Sequence, residues 1–241
     1  MAILDVAGLS KSFGGLRAVS DVTFSVPEGS IFAVIGPNGA GKTTLFNLIA
    51  GVMPPDGGRI IFASERIDGL TPDKICRRGI GRTFQIVRPF PGLTVEDNVI
   101  VGALLRRPDV PSATRHAHDV LARLDLHDKR HQLAASLTLP DRKRLEVARA
   151  LATDPKLLLL DEVMAGLRPT ETDRMVEILI KLNKESGLTI LLIEHVMRAV
   201  MSLASRILVL HHGAPIAEGL PADVTRNPEV VKSYLGAEAL G

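Results

Sequence analysis

The hydrophobic residues of this chain fall into short continuous runs, separated by longer segments in which they recur every three or four positions. Short apolar runs are typical of buried strands, and the wider spacing is typical of helices that pack on one side. Their alternation predicts an α/β fold with a parallel core sheet. The predicted strands are 3–9, 18–26, 31–35, 59–63, 157–160, 189–193 and 206–210, and the predicted helices of the core are 43–50, 170–184 and 195–204.

The middle of the chain, about residues 94–135, departs from this alternation. Its apolar residues keep helical spacing, and most of the seven histidines and many charged residues lie among them. We therefore predict a helical insert in the α/β fold. The residues that carry the spacing are Val95, Val99, Leu104, Val120, Leu121 and Leu124.

Composition narrows the class of protein. The 241 residues are 46% hydrophobic, which is enough to bury the core of one large domain or two small ones. A net charge of +2 and an aromatic content of 3% without tryptophan argue against a nucleic-acid partner. The single cysteine, Cys76, excludes an internal disulfide. Because no apolar run is long enough to span a bilayer, we expect any membrane role to be peripheral.

The segment 36–44 fits the phosphate-binding pattern G-x-x-x-x-G-K-[ST]. It lies between a predicted strand and a predicted helix, which is the order that such a loop requires. A glycine-rich turn that matches by chance is the alternative, and the flanking elements count against it. The residues expected to surround the phosphates are Gly36, Pro37, Asn38, Gly39, Ala40, Gly41, Lys42, Thr43 and Thr44.

Two acidic residues, Asp161 and Glu162, directly follow the apolar run 157–160. Beside a phosphate loop, Asp161 is expected to hold Mg²⁺ and Glu162 to polarise the attacking water. The alternative is a solvated acidic turn after a buried strand. His195 follows another apolar run, where it suits a sensor of the terminal phosphate, although a histidine at a strand end is more often structural.

Two further residues are candidates for the site only because of the motifs around them. Gln85 lies at the entrance to the helical insert, and Phe13 precedes the strand of the phosphate loop. Taken alone, Gln85 would be a surface side chain, and Phe13 could either stack on an adenine or pack in the core.

In this order and spacing, the motifs resemble the nucleotide-binding subunits of ABC transporters over essentially the whole chain. The finer likeness is to the ATPases of branched-chain amino-acid importers. The resemblance implies a P-loop NTPase core with a parallel sheet, an antiparallel β subdomain and a helical subdomain within one domain, 1–241. It divides that domain into a catalytic core of about 1–88 and 150–241 and a helical subdomain of about 89–149. Segments 10–19, 79–99, 157–171 and 227–236 carry the finer likeness.

The resemblance also implies site residues and ligands. ATP and Mg²⁺ are the implied cofactors, and Phe13 is the implied contact with adenine. The implied metal ligands are Thr43, Gln85 and Asp161, and the implied catalytic residues are Lys42, Gln85, Glu162 and His195.

The implied partners are integral-membrane permease subunits and a second ATPase subunit, with a solute-binding protein engaged only indirectly. We expect a cytoplasmic protein on the inner face of the cell membrane. The alternatives are an ATPase of lipid or lipopolysaccharide export and a soluble ABC ATPase that acts outside transport. The transported solute is not encoded in the motifs.

The signature segment departs from the family pattern Leu-Ser-Gly-Gly-Gln. Thr138 keeps a hydroxyl, and Thr138 with Asp141 has the form of a capping box, so we expect a helix to begin here. Leu139 adds bulk, Pro140 removes an N–H donor, and Asp141 brings negative charge near the partner's polyphosphate. We therefore expect a weakened clamp on the partner's ATP, and we favour a heterodimer with a distinct ATPase, a homodimer being the alternative. Arg168, where many relatives carry Asp, is a smaller departure in a segment that the family places at the dimer interface.

Overall fold

The computed structural model describes residues 1–84 and 89–238, and ten strands lie in this part of the chain. Each predicted strand is present; 31–35 and 189–193 have the predicted ends, and the ends of the others are shifted. The observed strands are β1 (Ala2–Phe13), β2 (Leu16–Pro27), β3 (Ile31–Ile35), β4 (Gly57–Phe62), β5 (Glu65–Arg66), β6 (Ile80–Arg82), β7 (Leu157–Asp161), β8 (Thr189–Ile193), β9 (Arg206–His211) and β10 (Ala214–Gly219).

The strands form two sheets. A six-stranded sheet has the order β10-β9-β3-β8-β7-β6, in which the neighbouring pairs from β9 to β6 are parallel and β10 is antiparallel to β9. A four-stranded antiparallel sheet has the order β2-β1-β4-β5. The predicted parallel α/β core and antiparallel β part are therefore both present.

Nine α-helices accompany the sheets within the described residues. The middle of the chain is helical, as predicted, and α3 there contacts both α4 and α5. Among the described residues, no helix is both long and apolar enough to cross a membrane. The helices are α1 (Lys42–Ile49), α2 (Pro72–Arg78), α3 (Val95–Ala103), α4 (Val110–Arg123), α5 (Leu139–Leu151), α6 (Pro169–Ser186), α7 (Met197–Leu203), α8 (Pro221–Val224) and α9 (Pro228–Glu238).

The central strand β3 is buried on both faces, which explains its continuous apolar sequence. Ile31 and Ile35 belong to a core shared with α6 and the helical middle of the chain. Phe32 and Val34 belong to a second core shared with α1 and the antiparallel sheet. The sheet is therefore covered on both sides, and only the ends of its strands are available for a site.

Several elements differ from the sequence prediction. The helix predicted to begin at His195 begins at Met197, because the buried Glu194 carboxylate accepts a hydrogen bond from Met164 N–H and holds the preceding residues in a non-helical segment. Sequence reasoning also missed α2, β5, β6 and β10. These elements are short or half-exposed, so they show no clear hydrophobic period.

Candidate nucleotide-binding site

The glycines of segment 36–44 allow a close approach between backbones. Gly36 has φ 150°, and a Cβ atom there would lie 2.1 Å from the carbonyl oxygen of Leu210. Gly41 has φ 96°, and its Cβ would lie 2.2 Å from the carbonyl oxygen of Ala18. Side chains are excluded at both positions, so the loop can curl tightly before α1 begins.

Helix α1 begins directly after this loop. Its N-cap is Gly41, which has no side chain to accept a hydrogen bond from the first amides of the helix, and the first turn carries no acidic residue. The amide groups and the positive end of the helix dipole are thus left for an anion. This is the geometry that a phosphate-binding loop requires.

The Lys42 side chain folds back over the loop. Its Nζ donates hydrogen bonds to the carbonyl oxygens of Gly36, at 2.7 Å, and Pro37, at 3.0 Å. Burial lowers the pKa of Lys42, and the negative charges of Glu162 and Asp161 oppose that shift. The ammonium group is therefore held at the loop and faces two acids across the site.

A cavity of about 420 Å³ opens above the loop. Phe13 borders it and is 47% exposed, so it is not a core residue. His212, in the turn between β9 and β10, also borders it. Sequence reasoning missed His212, Leu16 and Arg17 because no motif marks them. The cavity is lined by Phe13, Leu16, Arg17, Ala18, Asn38, Gly39, Ala40, Gly41, Lys42, Thr43, Thr44, Glu162 and His212.

Asp161 ends strand β7 with its side chain 1% exposed. Burial raises the pKa of its carboxyl group, and the Arg82 guanidinium beside it partly offsets the shift. Its Oδ1 atom is buried and has no hydrogen-bond partner among the described residues. An orphaned carboxylate oxygen, together with the Thr43 hydroxyl, suits Mg²⁺, which binds few protein ligands and takes the rest from phosphate and water. The described residues offer no all-protein cage of three or more His, Cys, Asp or Glu side chains, which agrees with that mode of binding.

Glu162 has a strained backbone and reaches the cavity. Its φ is 50°, in the left-handed region that residues with side chains rarely adopt, and its N–H donates to the carbonyl oxygen of Ile193 at 3.0 Å. His195 Nδ1 lies 3.9 Å from Glu162 Oε2, too far for a hydrogen bond. The His195 ring is 56% exposed, so it is available to a ligand.

Two buried titratable side chains that sequence reasoning missed, Lys143 and Glu194, contact the backbone around Glu162. Lys143, on α5, donates from Nζ to the carbonyl oxygen of Glu162 at 2.9 Å. Glu194 is 1% exposed and accepts from Met164 N–H at 2.8 Å. Both contacts hold the backbone that carries Glu162. No sequence pattern reveals them because their partners are backbone groups far along the chain.

The signature segment lies at the start of α5, as predicted, with Thr138 at the N-cap. A helix does begin here, but the predicted capping box does not form: Thr138 Oγ1 donates to the carboxylate of Asp141 at 2.8 Å, and its side chain accepts no hydrogen bond from the helix. Leu139 is 45% exposed. Thr138, Leu139, Pro140 and Asp141 are absent from the lining of the phosphate-loop cavity, so one chain does not bring the two motifs together.

The expectation that Asp141 presents negative charge to a nucleotide is wrong. Its side chain is 3% exposed and forms ion pairs with Lys129 and Arg144. Burial alone would raise its pKa, but hydrogen bonds from Lys129, Thr138 and Arg144 outweigh that effect and hold the pKa below its usual value. The charge is therefore neutralised inside the protein and does not face the surface.

The structure thus gathers Phe13, the phosphate loop and Glu162 around one cavity, with Asp161 and His195 beside Glu162. Gln85 lies outside the described residues.

Comparison with known proteins agrees with a nucleotide-binding site in this cavity. The family description "ABC transporter" matches residues 19–165, which is more than half of the chain. The chain belongs to the ABC transporter family. A second description, "Branched-chain amino acid ATP-binding cassette transporter", matches residues 214–239.

Two curated relatives illustrate the range of this family. BraF of Pseudomonas aeruginosa, a high-affinity branched-chain amino acid transport ATP-binding protein, is 41% identical over 97% of this chain and 98% of its own length. LptB of Escherichia coli, a lipopolysaccharide export system ATP-binding protein, is 35% identical over 99% of both chains.

Solved structures support the fold. The ADP conformation of MJ1267, an ATP-binding cassette of an ABC transporter, superposes with a TM-score of 0.89 at 31% identity, covering 98% of this chain and 99% of that one. A dimeric ABC transporter cassette, MJ0796, superposes with a TM-score of 0.82 at 24% identity, covering 90% and 98%, and shows the fold alone.

The buried Glu194 predicts a pH-dependent stability. Burial raises its pKa from 4.5 to about 7, so the folded protein holds this proton more tightly than the unfolded chain. The resulting stabilisation is complete below pH 4.5 and is lost as the pH rises to about 7. Glu194→Gln should remove this loss, which amounts to at most about 3.5 kcal/mol at about 1.4 kcal/mol per pH unit.

Urea unfolding of both proteins at pH 4.5, 6 and 8 measures the effect. Glu185→Gln is the matched control, because Glu185 is 53% exposed on α6. Equal pH dependence in the wild type and Glu194→Gln would contradict the assignment.

Proposed function

We propose that this protein is the ATP-hydrolysing subunit of a membrane importer for branched-chain amino acids or related small solutes. The observation that carries the proposal is that Lys42, Thr43 and Glu162 line the same cavity. Such a cavity surrounds a nucleotide polyphosphate with a cationic loop and gives its far end a carboxylate. ATP binding follows from family membership. Hydrolysis follows from the Glu162 carboxylate, which can activate a water molecule beside the terminal phosphate.

Two observations favour import over export. Residues 214–239 match a description specific to branched-chain amino-acid cassettes, and they include β10 and the last helices. Identity to the branched-chain transport protein BraF, at 41%, also exceeds identity to the export protein LptB, at 35%. The phosphate loop and the acidic pair are common to both kinds of transporter, so they do not discriminate.

The chemistry we propose is in-line attack of water on the γ-phosphorus of ATP. Glu162 orients the water and accepts its proton as the new P–O bond forms, while the bond to the ADP oxygen breaks. The Lys42 ammonium, now bonded to loop carbonyls, turns to the phosphate oxygens and neutralises their charge. His195 and Gln85 position the water and the terminal phosphate, and Phe13 stacks on the adenine.

Mg²⁺, which we propose is held by Thr43, Asp161 and Gln85, supplies charge neutralisation at the phosphates. The Thr43 hydroxyl is at the first turn of α1, and the Asp161 carboxylate ends β7. Both are hard oxygen donors of the kind that Mg²⁺ prefers.

The Glu162→Gln variant tests the proposed base. The amide keeps the size and hydrogen-bonding capacity of the side chain but cannot accept the proton, so turnover should fall about 10²–10⁴-fold. Affinity for ATP should stay within about threefold, because the loop that binds the phosphates is unchanged.

Steady-state phosphate release and fluorescent-nucleotide binding measure the two quantities. Glu177→Gln on the exposed face of α6, where the side chain is 65% exposed, is the control and should behave as the wild type. Unchanged turnover in Glu162→Gln would refute the role given to this residue.

We propose that the chain works as a head-to-tail pair with a second, distinct ATPase bound to permease subunits at the membrane. The signature segment of one subunit would then contact the ATP held by the other. Asp141 does not oppose this contact, because its charge is neutralised, but Leu139 and Pro140 still limit it. Leu139 occupies the surface where close approach is needed, and Pro140 lacks an N–H donor.

A double substitution, Leu139→Gly with Pro140→Gly, tests the weakened signature. It restores one amide donor and removes the exposed side chain, so ATP hydrolysis by the isolated chain should rise about tenfold, the effect of roughly one hydrogen bond. The matched control is Leu220→Gly with Pro221→Gly, since Leu220 is also an exposed leucine followed by proline at the start of a helix.

The outcome of the double substitution is read from ATPase rates over a range of protein concentrations. No gain over the control would contradict the role given to Leu139 and Pro140. Cooperative hydrolysis by the wild-type chain alone, at a rate unchanged by a second ATPase subunit, would contradict the proposed heterodimer.

The importer proposal predicts which proteins accompany this chain in membranes. Affinity purification from detergent-solubilised membranes of its natural host should recover permease subunits and a solute-binding protein, identified by mass spectrometry. ATPase activity of that complex in vesicles should rise at least about threefold when the solute-binding protein and leucine are added. Recovery of lipopolysaccharide-export components instead would assign the chain to export.

A further inference from the structure

Arg82 is a buried cation next to the carboxylate of Asp161, and the site chemistry described above does not use it. It ends β6, the strand beside β7, and its Nη2 lies 3.4 Å from Asp161 Oδ2. The two side chains are 9% and 1% exposed. Because β6 and β7 are parallel, their carboxyl ends bring these two residues together although they are far apart in sequence.

The pairing is incomplete. Arg82 Nε and Nη1 and Asp161 Oδ1 are all buried, and none of them has a hydrogen-bond partner among the described residues. A guanidinium and a carboxylate can form two parallel hydrogen bonds at shorter range, which this pair does not do. Buried polar atoms without partners are rare and costly, so a pair left in this state is suited to a rearrangement on ligand binding.

Arg82 also contacts an exposed aromatic side chain. Its guanidinium carbon lies 5.2 Å from the centre of the Phe84 ring, and Phe84 is 53% exposed. The neighbouring cation Lys42 is hydrogen-bonded to loop carbonyl oxygens, so among the described residues Arg82 is the cation in direct contact with Asp161. The side chain thus connects a predicted metal ligand with an exposed aromatic ring.

We propose that Arg82 is a positioning residue that weakens the binding of free divalent cations to the Asp161 carboxylate. It moves away from the carboxylate when a cation binds together with nucleotide phosphates. The inference rests on the proposed function. Without nucleotide, the guanidinium charge repels a divalent ion from the carboxylate and competes with it directly for Oδ2. With nucleotide, the negative phosphates offset that repulsion, so metal and nucleotide bind cooperatively. Movement of Arg82 then changes the surroundings of Phe84.

The first test measures Mn²⁺ binding to the nucleotide-free protein at pH 8 by electron paramagnetic resonance of the free ion. Arg82→Met, which removes the charge and keeps most of the bulk, should bind Mn²⁺ at least tenfold more tightly than the wild type. Arg82→Lys keeps the charge and should bind as weakly as the wild type. Equal affinity in the wild type and Arg82→Met would overturn the inference.

Because Arg82→Met leaves Asp161 without its cation, a second test keeps Arg82 in place. The chain has no tryptophan, so Phe84→Trp introduces a single tryptophan next to the guanidinium, and its emission can be excited selectively. Its emission should change with ADP and Mg²⁺ and should change at least threefold less with ADP and EDTA. An equal response in both conditions would overturn the inference.

The two proposals fail in different ways. If the wild type binds ADP but its Mn²⁺ affinity does not depend on residue 82, only the role of Arg82 fails. If the wild type binds no ADP with or without metal, both the proposed function and this inference are contradicted.

Discussion

The parallel arrangement of β3, β7 and β8 determines where the polar groups of the site begin. Asp161 at the end of β7 lies opposite Ile193 at the end of β8, and β8 pairs in turn with β3. All three strands are fully buried, so the chain can expose polar residues only where the strands stop. The phosphate loop, the acidic pair and the segment that carries His195 therefore leave the sheet at one edge.

Burial at this end of the sheet shifts the pKa values of the titratable groups there. Lys42 and Glu194 have pKa values shifted toward their neutral forms, chiefly because the apolar core on both sides of the sheet removes solvent from them. Arg82 and Asp161 face each other in the same environment. A charge placed here is costly unless it is paired, so the arrival of a polyphosphate and its cation changes the energy of the whole group. The site is thus prepared for a highly charged ligand.

The signature segment illustrates how a sequence departure can be compensated by packing. Asp141 stands where the family has Gln, yet Lys129, Thr138 and Arg144 surround its carboxylate. The charge becomes a structural contact at the beginning of α5. Leu139, in contrast, is exposed at the beginning of α5, so its side chain stands on the surface where the family pattern has a glycine.

The sequence by itself determined the fold class, the buried strands of the core and the phosphate loop, because apolar periodicity and glycine spacing are local properties. It also predicted Asp161, Glu162 and His195 as site residues, since each lies one or two positions after the end of an apolar run. Only the tertiary structure decided that Arg82 contacts Asp161, that Lys143 and Glu194 hold the backbone around Glu162, and that Asp141 points inward. Those outcomes depend on contacts between distant parts of the chain and on burial, which no local pattern encodes.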